Sequence, residues 1–471
     1  MMIRVSDATA WEHCPRHAWF LLHPPAGEEI EIDAFDELIK SLGDAHEAEV
    51  LAGFETYETA KSVQHTRKLI EKRSPVLYQP QFVDPKLNIV GVPDFLILEG
   101  NDYRVADAKL ALSIENKKAI KAQLNTYRRL AKSVLPARVY LGNGEIVDID
   151  PDDDKFAEAF VTEMQALRRL GKIPQTHYSY TKCTPCPFSG FCVPKFKAAG
   201  ELTLNPAVQA RAADGLSGVG VKTLAELANS DPNALPDVPY LKGRKKKQRA
   251  ILQARSLQSG SVFRVDDIRL PQGDYIHFDV ESDPMAQGGA GEVYLWGFLT
   301  PPYTNSGFEY VWKERDETAD ENAWRAFLTL VGSFRERFES PYLVHYSNYE
   351  RTQIRHYAER YGDLTDAMVK WLLADGGPLL DLQKIVKDAF ILPVMSYGLK
   401  SICRDPRLAN FQWRLEESGS QWSVVRYYDY LDAATDREAK EIKSEILIYN
   451  EDDVRATTAL VTWMNTMMID S

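Results

Sequence analysis

The sequence is poor in cysteine, with five residues in a chain of 471. So small and odd a number is unlike the dense, paired cysteines of a small secreted protein held together by disulfides. The distribution is uneven, because one short segment holds three of the five and the others stand alone. In chain order they are Cys14, Cys183, Cys186, Cys192 and Cys403. This grouping favours a metal site over a set of disulfides.

Long apolar runs are also missing. No run of about 20 apolar residues occurs, so we expect no transmembrane helix. The first twenty residues carry charges throughout and lack the apolar stretch of a secretory signal. We therefore expect a soluble cytoplasmic protein without a membrane partner, whose cysteines are reduced and available for metals.

Positive charge is not in excess. Lys and Arg number 56 and Asp and Glu 68, which gives a formal net charge of −12. This excludes a uniformly basic nucleic-acid coat but not a local basic groove. With 44% hydrophobic and 26% charged residues, the chain has the composition of a folded protein. At roughly 100–200 residues per domain, its length predicts two to four domains.

Three blocks follow one another along the chain. Residues 1–198 alternate strand-like and helical patterns, which predicts a mixed, helix-flanked sheet. Residues 199–262 predict short helices broken by Gly and Pro. Residues 263–471 predict strands first, then alternating helix and strand, and a long closing helix. The sequence therefore predicts an α/β multidomain protein with a small helical region between two α/β domains.

The first block contains a candidate cation site. Asp94 precedes one strand of a predicted hairpin, and Asp107 and Lys109 lie on the same face of the next strand because side chains alternate. Two carboxylates suit Mg²⁺ or Mn²⁺, and a lysine beside them orients water or stabilises developing charge. His46, on the preceding helix, is a candidate third ligand. A surface hairpin with a salt bridge is the competing interpretation.

Two further patterns belong to this block. Gln123 and Tyr127 are four residues apart on a predicted helix and share a face, where they contact substrate or simply pack. The second pattern is a set of four cysteines, which would clamp the first and last segments of the block around one metal centre. The set is Cys14, Cys183, Cys186 and Cys192. Spacing alone leaves zinc and an iron–sulfur cluster open.

Taken in order, these residues resemble the RecB-like PD-(D/E)xK nucleases that carry an iron–sulfur staple, a family with a restriction-endonuclease-like fold. The resemblance spans residues 1–198. It implies a [4Fe–4S] cluster on the four cysteines and a metal on His46, Asp94 and Asp107. It also implies single-stranded DNA as substrate.

The middle block carries a glycine-rich turn between two helical segments. Gly218 and Gly220 would let the chain turn sharply and expose backbone N–H groups, with Lys222 where a phosphate would sit. This resembles a helix–hairpin–helix motif, which binds DNA without reading its sequence. Downstream, residues 241–255 contain seven basic residues and no acidic one. A plain helix–helix turn and a solvated basic face are the competing interpretations.

The third block contains four acidic residues with catalytic spacing. Asp279 and Glu281 share a strand face, Glu350 follows a second strand, and Tyr449 and Asp453 share a face of the closing helix. Converging carboxylates hold divalent cations that activate water and stabilise the leaving oxygen, and Tyr449 is placed to orient that water. The competing interpretation is that these acids are surface residues.

The set resembles the tyrosine-containing branch of the DEDD exonucleases, which have a ribonuclease H-like fold. The resemblance covers roughly residues 270–470. Glu350 departs from it, because most of these enzymes have aspartate there. We assign Asp381 and Asp452 structural roles and expect Cys403 to be a buried thiol.

The whole chain resembles a bacterial family of RecB-like nucleases that fuses the two domain types. The resemblance implies a Mg²⁺- or Mn²⁺-dependent nuclease, exonucleolytic on DNA, with two active sites. It also admits RNA as substrate and a helicase or a repair or defence complex as partner. Two alternatives remain: only the C-terminal domain cuts, or the chain is a non-catalytic nucleic-acid-binding adaptor.

Overall fold

The computed structural model of the chain describes residues 2–25, 33–286, 291–304, 307–316, 318–415 and 419–469. The chain divides into two compact units, Met1–Val193 and Pro194–Ser471. Each unit packs helices against mixed sheets, which confirms the predicted mixed α/β, multidomain class. Among the described residues, no helix combines the length and the hydropathy needed to cross a bilayer.

The first unit contains a six-stranded mixed sheet and a three-stranded sheet. Their strand orders are β2-β3-β6-β7-β8-β9 and β1-β5-β4. The strands are β1 (Ile3–Arg4), β2 (Glu58–Thr59), β3 (Val76–Tyr78), β4 (Phe82–Asp84), β5 (Ile89–Gly91), β6 (Phe95–Glu99), β7 (Asp102–Lys109), β8 (Arg138–Leu141) and β9 (Ile146–Asp148).

The helices of the first unit are α1 (Ala8–His13), α2 (Pro15–Leu22), α3 (Ala34–Ala52), α4 (Val63–Lys72), α5 (Lys118–Ala131), α6 (Asp154–Arg169) and α7 (Tyr180–Cys183), and α8 (Ser189–Ala198) begins in it. Helices α3 and α5 pack against β7 of the six-stranded sheet. The apolar face of α5 is buried in the core with the central strands, through Ala122, Leu124 and Tyr127. Its apolar residues recur at helical spacing, which is why the sequence predicts this helix.

The predicted hairpin between the two candidate acidic positions is confirmed. Strands β6 and β7 pair antiparallel, with Phe95 opposite Ala106 and Glu99 opposite Asp102. Gly100 makes the turn in the left-handed region, at φ +63°, which glycine adopts without strain. The hairpin thereby brings the start of β6 beside the end of β7, where the candidate residues lie.

The second unit is built on a five-stranded sheet in the order β13-β12-β11-β14-β15. Strand β11 pairs antiparallel with β12 and parallel with β14. The strands are β10 (Phe263–Arg264), β11 (Asp274–Asp283), β12 (Glu292–Leu299), β13 (Phe308–Trp312), β14 (Pro341–His345), β15 (Leu379–Asp381) and β16 (Phe390–Ile391). Strands β10 and β16 form a separate antiparallel pair.

The helices of the second unit are α9 (Ala210–Gly218), α10 (Leu224–Ala228), α11 (Arg244–Ser259), α12 (Ala319–Arg337), α13 (Tyr349–Arg360), α14 (Ala367–Leu373), α15 (Leu382–Ala389), α16 (Leu399–Cys403), α17 (Ser420–Asp432) and α18 (Asp436–Ile469). Helices α12, α15, α17 and α18 pack against the five-stranded sheet, whereas α11 packs against β16. The long closing helix is confirmed, and Cys403 is fully buried, as expected.

The predicted middle region lies in the second unit. The Gln253 amide in α11 donates to the Leu392 carbonyl at 2.6 Å, and the Tyr397 hydroxyl donates to the Gln253 side-chain oxygen at 2.9 Å. These buried bonds join α11 to the segment after β16. An independent middle domain at residues 199–262 therefore stays a prediction.

Candidate active site and metal-binding residues

Three carboxylates converge at the centre of the second unit. Asp279 and Glu281 alternate with Val280 on β11 and share a face of the sheet, and Asp453 reaches them from α18. One oxygen from each lies within 4.8 Å of the other two. Oxygen donors at this spacing are the ligand type that Mg²⁺ and Mn²⁺ prefer.

Burial makes this arrangement electrostatically costly without a cation. The pKa of Asp279 is raised well above its usual value by burial and by the charges of Glu281 and Asp453. Burial, with the charge of Asp453, raises the pKa of Glu281 to about 8, although hydrogen bonds from Ser423 and Asn450 oppose the rise. Such uncompensated negative charge fits a site that a divalent cation neutralises.

Side chains that the sequence interpretation missed hold the carboxylates in place. The Asn450 amide donates to Asp279 Oδ2 at 2.8 Å, and the Ser423 hydroxyl donates to Glu281 Oε2 at 2.6 Å. Trp413 Nε1 donates to Asp453 Oδ1 at 2.7 Å. Only Asn450 had a readable signal, since it lies on the same helix face as Asp453, three residues away.

A glycine makes room for the asparagine. Gly297 on β12 pairs with Asp279, and a Cβ built on Gly297 would lie 1.7 Å from Asn450 Oδ1. Only a residue without a side chain permits this approach of helix to sheet. The position of Asn450 over the Asp279 carboxylate therefore depends on Gly297.

Lys400 adds a cation at the edge of the cluster. Its ammonium donates to the Tyr449 hydroxyl at 3.1 Å and lies 4.5 Å from the centre of the Tyr449 ring. Burial lowers the pKa of Lys400, against the opposing charges of Asp453 and Glu281. Tyr449 is in turn hydrogen-bonded to Asp453. Tyr449 and Lys400 therefore lie beside the carboxylate group.

Glu350 lies outside the group of three. It lies in the first turn of α13, is 2% exposed, and accepts a bond from His345 Nδ1 at 3.2 Å. Burial raises its pKa, and the histidine opposes the rise. Its charge nevertheless contributes to the raised pKa of Asp279. The structure thus brings three of the four predicted carboxylates into ligand spacing and places the fourth close by, with a protein partner of its own.

The raised pKa values give a pH-dependent prediction. Between about pH 4.5 and 8 the folded chain keeps a proton on Glu281 that the unfolded chain has released. Metal-free stability therefore falls as pH rises through this window, and a cation that replaces the protons restores it. We expect Mn²⁺ to raise the melting temperature of the second unit by several degrees at about pH 8.5 and by little at about pH 5.5.

Scanning calorimetry with and without Mn²⁺ measures this shift, and Glu281→Gln is the matched variant. Removing the carboxylate should abolish most of the increment at the higher pH. Equal increments at both pH values, or an unchanged increment in the variant, would contradict the assignment of Glu281 as a ligand.

The first unit brings three of its predicted residues together. The Asp94 backbone N–H donates to Asp107 Oδ1 at 2.9 Å, and the Asp94 carboxylate accepts from the Ala108 backbone at 2.8 Å. Lys109 Nζ lies 2.8 Å from Asp107 Oδ2. Burial and the charge of Asp107 raise the pKa of Asp94 to about 8, against the charge of Lys109. The predicted convergence of two carboxylates and an ammonium is therefore present.

His46 is oriented elsewhere. Its Nε2 lies 3.1 Å from the Tyr140 carbonyl, and among the described residues no metal-like group of three donors includes His46, Asp94 or Asp107. The neighbouring Glu47 is the helix residue whose charge acts on Asp94 and Lys109. The ligand role of His46 stays a prediction, and Glu47 is the acidic residue of α3 that sequence reasoning missed.

Gln123 and Tyr127 meet as their spacing predicts. The Gln123 amide donates to the Tyr127 hydroxyl at 3.2 Å. Burial, with the charge of Asp107, raises the pKa of Tyr127, so the tyrosine lies close to the candidate site. Tyr127 is 3% exposed and belongs to the core, which also satisfies the packing interpretation.

The four cysteines of the first unit lie close to one another. Burial raises the pKa of Cys186 to about 11, and the charges of Cys14, Cys192 and Cys183 add to the effect. The Ser179 backbone N–H points to Cys183 Sγ at 3.5 Å. Cys192 is buried and the other three are half-buried, and Arg16 hydrogen-bonds to Cys192. Four thiols grouped in this way are suitable ligands for a metal centre that displaces their protons.

The glycine turn of the middle region has the predicted shape but an acidic cap. Gly218 ends α9, and Gly220 takes φ +93°, which favours glycine. The backbone N–H groups of Lys222 and Thr223 donate to the Glu226 carboxylate at 2.6 and 3.0 Å. The protein's own carboxylate therefore occupies the donors that a phosphate would use. The roles of Gly218, Gly220 and Lys222 in DNA binding stay predictions.

Some basic residues of the run at 241–255 are exposed, and others are bonded within the protein. Lys247 is buried and bonds to the Leu235 carbonyl and to Asp237, and Arg255 donates to the Ala228 carbonyl. The exposed basic residues are Lys242, Arg244, Lys245 and Lys246. They precede or begin α11, where cations oppose the helix dipole, so a bound anion would relieve an unfavourable arrangement.

The second unit defines a recognisable class of protein. Its five-stranded sheet, with acidic residues on β11 and on the closing helix, forms a ribonuclease H-like domain. Domains of this class are generally nucleases that hydrolyse phosphodiesters of nucleic acids with divalent metals. Residues 276–465 match the family model of the RNase_H superfamily, about two fifths of the chain. The matched segment contains all five predicted residues of this site. No curated protein matches the chain.

Proposed function

We propose that the chain is a divalent-metal-dependent exonuclease that hydrolyses DNA phosphodiesters and favours single-stranded ends. The observation that carries the proposal is the buried carboxylate group of Asp279, Glu281 and Asp453, whose oxygens lie within 4.8 Å of one another. A divalent cation held there would supply Lewis-acid activation of a water and stabilisation of the leaving oxygen.

The remaining side chains support the same reaction. Asn450, Ser423 and Trp413 hold the three carboxylates by hydrogen bonds, so the ligands are preorganised. The Tyr449 hydroxyl, held by Lys400, orients the attacking water beside Asp453. The Lys400 ammonium offsets negative charge that develops on the phosphate.

A second site in the first unit is part of the proposal. Asp94 and Asp107 supply two carboxylates, and Lys109 supplies an ammonium that pairs with Asp107. Backbone hydrogen bonds connect the two acidic residues, from the Asp94 N–H to Asp107 and from the Ala108 N–H to Asp94. The burial of Asp107 at 1% exposure argues for a built site rather than a surface hairpin. His46 or Glu47 would complete the ligand set from α3.

The exposed cations support a nucleic-acid substrate. Four basic side chains around the start of α11 offer phosphate contacts in a chain of net charge −12. Such contacts give affinity without sequence preference. This is the binding mode expected of an exonuclease that moves along a strand.

The thiol spacing supports an iron–sulfur cluster over zinc. Zinc–sulfur bonds of about 2.3 Å in a tetrahedron place the sulfurs about 3.8 Å apart. Among the described residues, no three of the four cysteines have their sulfurs within 4.8 Å of one another, yet their charges interact. A multinuclear core fits thiolates spaced wider than one zinc ion requires. We propose that Cys14, Cys183, Cys186 and Cys192 hold a [4Fe–4S] cluster.

An end-labelled degradation assay with Mn²⁺ tests the two-site proposal. Single-stranded DNA, duplex DNA and an RNA–DNA hybrid are compared for the wild type and for Asp107→Asn and Asp279→Asn. We expect each single variant to lose one part of the activity and the double variant to lose all of it. The products should shorten progressively from an end.

Other outcomes select the alternatives. Activity that is lost with Asp279→Asn and unaffected by Asp107→Asn would mean that only the second unit cuts. Binding of the labelled strands without cleavage by the wild type would leave the adaptor interpretation. Internal cuts without end-dependent shortening would overturn the exonuclease assignment.

A further inference from the structure

Two histidines lie inside the proposed cluster region. His13 ends α1 and His17 lies in α2, four residues further along the chain, with ring centres 5.2 Å apart. One donor atom from each lies within 4.8 Å of the other and of Cys186 Sγ. The region therefore contains a second set of ligand atoms, tighter than the four cysteines and sharing one of them.

The spacing of this second set suits a single ion. Zinc–nitrogen bonds of about 2.0 Å and zinc–sulfur bonds of about 2.3 Å place neighbouring donors roughly 3.3–3.8 Å apart in a tetrahedron. Donors already within 4.8 Å reach that separation through small side-chain rotations. The sulfurs of Cys14, Cys183 and Cys192 are not part of this group.

The hydrogen bonding of the two rings favours coordination. His13 Nε2 lies 2.9 Å from the Lys182 carbonyl. Donation of one ring N–H to a carbonyl is the usual second contact of a ligating histidine, and it leaves the other ring nitrogen, Nδ1, unprotonated. His17 Nδ1 is buried and has no hydrogen-bond partner among the described residues. An imidazole nitrogen buried without a partner needs a ligand to satisfy it.

We propose that the chain lacking its cluster binds one zinc ion through His13, His17 and Cys186, with water as the fourth ligand. The Cys186 thiol releases its proton to solvent as the zinc–sulfur bond forms, and both imidazoles bind in the neutral form. Because Cys186 belongs to both ligand sets, zinc and the cluster exclude each other. The inference rests on the proposed four-cysteine cluster for this exclusion, but not for zinc binding itself.

Cobalt titration of the cluster-free full-length chain tests the ligand set, because Co²⁺ is a visible probe for a zinc site. We expect one equivalent to bind with a sulfur-to-cobalt charge-transfer band. His17→Gln should lower the affinity by at least about tenfold. Cys192→Ser is the matched control and should retain both the affinity and the band. His13→Gln, at a partly exposed position, repeats the test if His17→Gln proves unstable.

The iron content of the same variants separates this inference from the cluster proposal. After anaerobic preparation, we expect His17→Gln to retain iron and Cys192→Ser to lose it. We also expect prior zinc loading to block cluster assembly in the wild type but not in His17→Gln. Cobalt binding lost in Cys192→Ser and retained in His17→Gln would overturn the inference. Absence of cobalt binding by the wild type, or loss of iron in His17→Gln, would also overturn the zinc-site inference. An iron-free wild type that binds cobalt as described would refute the cluster alone.

Discussion

Asp279→Asn, made in a chain that already carries Asp107→Asn, should lower the rate of Mn²⁺-dependent strand degradation by about 10³-fold or more. The substitution keeps the size of the side chain and its bond with Asn450, but removes one of three converging negative charges. A bound cation contributes several kcal/mol of transition-state stabilisation, and each 1.36 kcal/mol is about tenfold in rate. Initial rates on end-labelled single strands measure the effect.

Asp452→Asn is the matched control, because Asp452 neighbours Asp453 on α18 but bonds to Arg414 instead. It should change the rate by less than about threefold if it acts only through stability. Comparable losses in Asp452→Asn and Asp279→Asn would show that any charge change on this helix or strand disturbs the unit. The assignment of the carboxylate group as the metal site would then fail.

Cys14→Ser should reduce the iron content of anaerobically purified protein from about four atoms per chain to nearly none. Because a cluster forms only in the folded chain, its binding energy is also folding energy, and losing it should destabilise the first unit by several kcal/mol. Cys14 lies between α1 and α2, far along the chain from the other three cysteines. Its substitution therefore removes the connection that the cluster would make between the first and last segments of the unit.

Iron analysis, the visible charge-transfer absorption and a melting curve together measure this effect. Cys403→Ser is the matched control, since Cys403 is buried in the second unit with its thiol near the Ala456 carbonyl. It should leave iron and colour unchanged. A colourless wild type with one zinc per chain, or a Cys14→Ser chain that keeps its iron, would contradict the cluster assignment.

The part of the candidate site that sequence could predict is the part controlled by short-range periodicity. Strand alternation places Asp279 and Glu281 on one face, and the helical repeat places Tyr449 and Asp453 on one face. The structure brings Asp279, Glu281 and Asp453 together. The turn at Gly100 follows from the same kind of local rule.

Other features depend on contacts between distant segments and have no local signature. Lys400 reaches Tyr449 because α16 packs against α18, and Ser423 reaches Glu281 because α17 packs against β11. The orientation of α3 about its own axis also depends on contacts with distant segments. Adjacent helical residues point about 100° apart, so a modest rotation of the helix decides whether His46 or Glu47 faces Asp94.

The start of α10 carries a capping pattern that is visible in the sequence. Thr223 and Glu226 form a capping box, and this pattern of Ser or Thr followed three residues later by Glu can be recognised in sequence. It predicts that the helix satisfies its own N–H groups. Affinity for DNA is therefore better sought in the exposed cations at 242–246 than at the glycine turn.

The central claim is that the carboxylate group of the second unit is a divalent-cation site for phosphodiester hydrolysis. An anomalous difference map from crystals containing Mn²⁺ tests it most directly and without reference to activity. The account predicts a peak within bonding distance of Asp279, Glu281 and Asp453. Mn²⁺ peaks found only elsewhere, with this group empty at a saturating concentration, would contradict it.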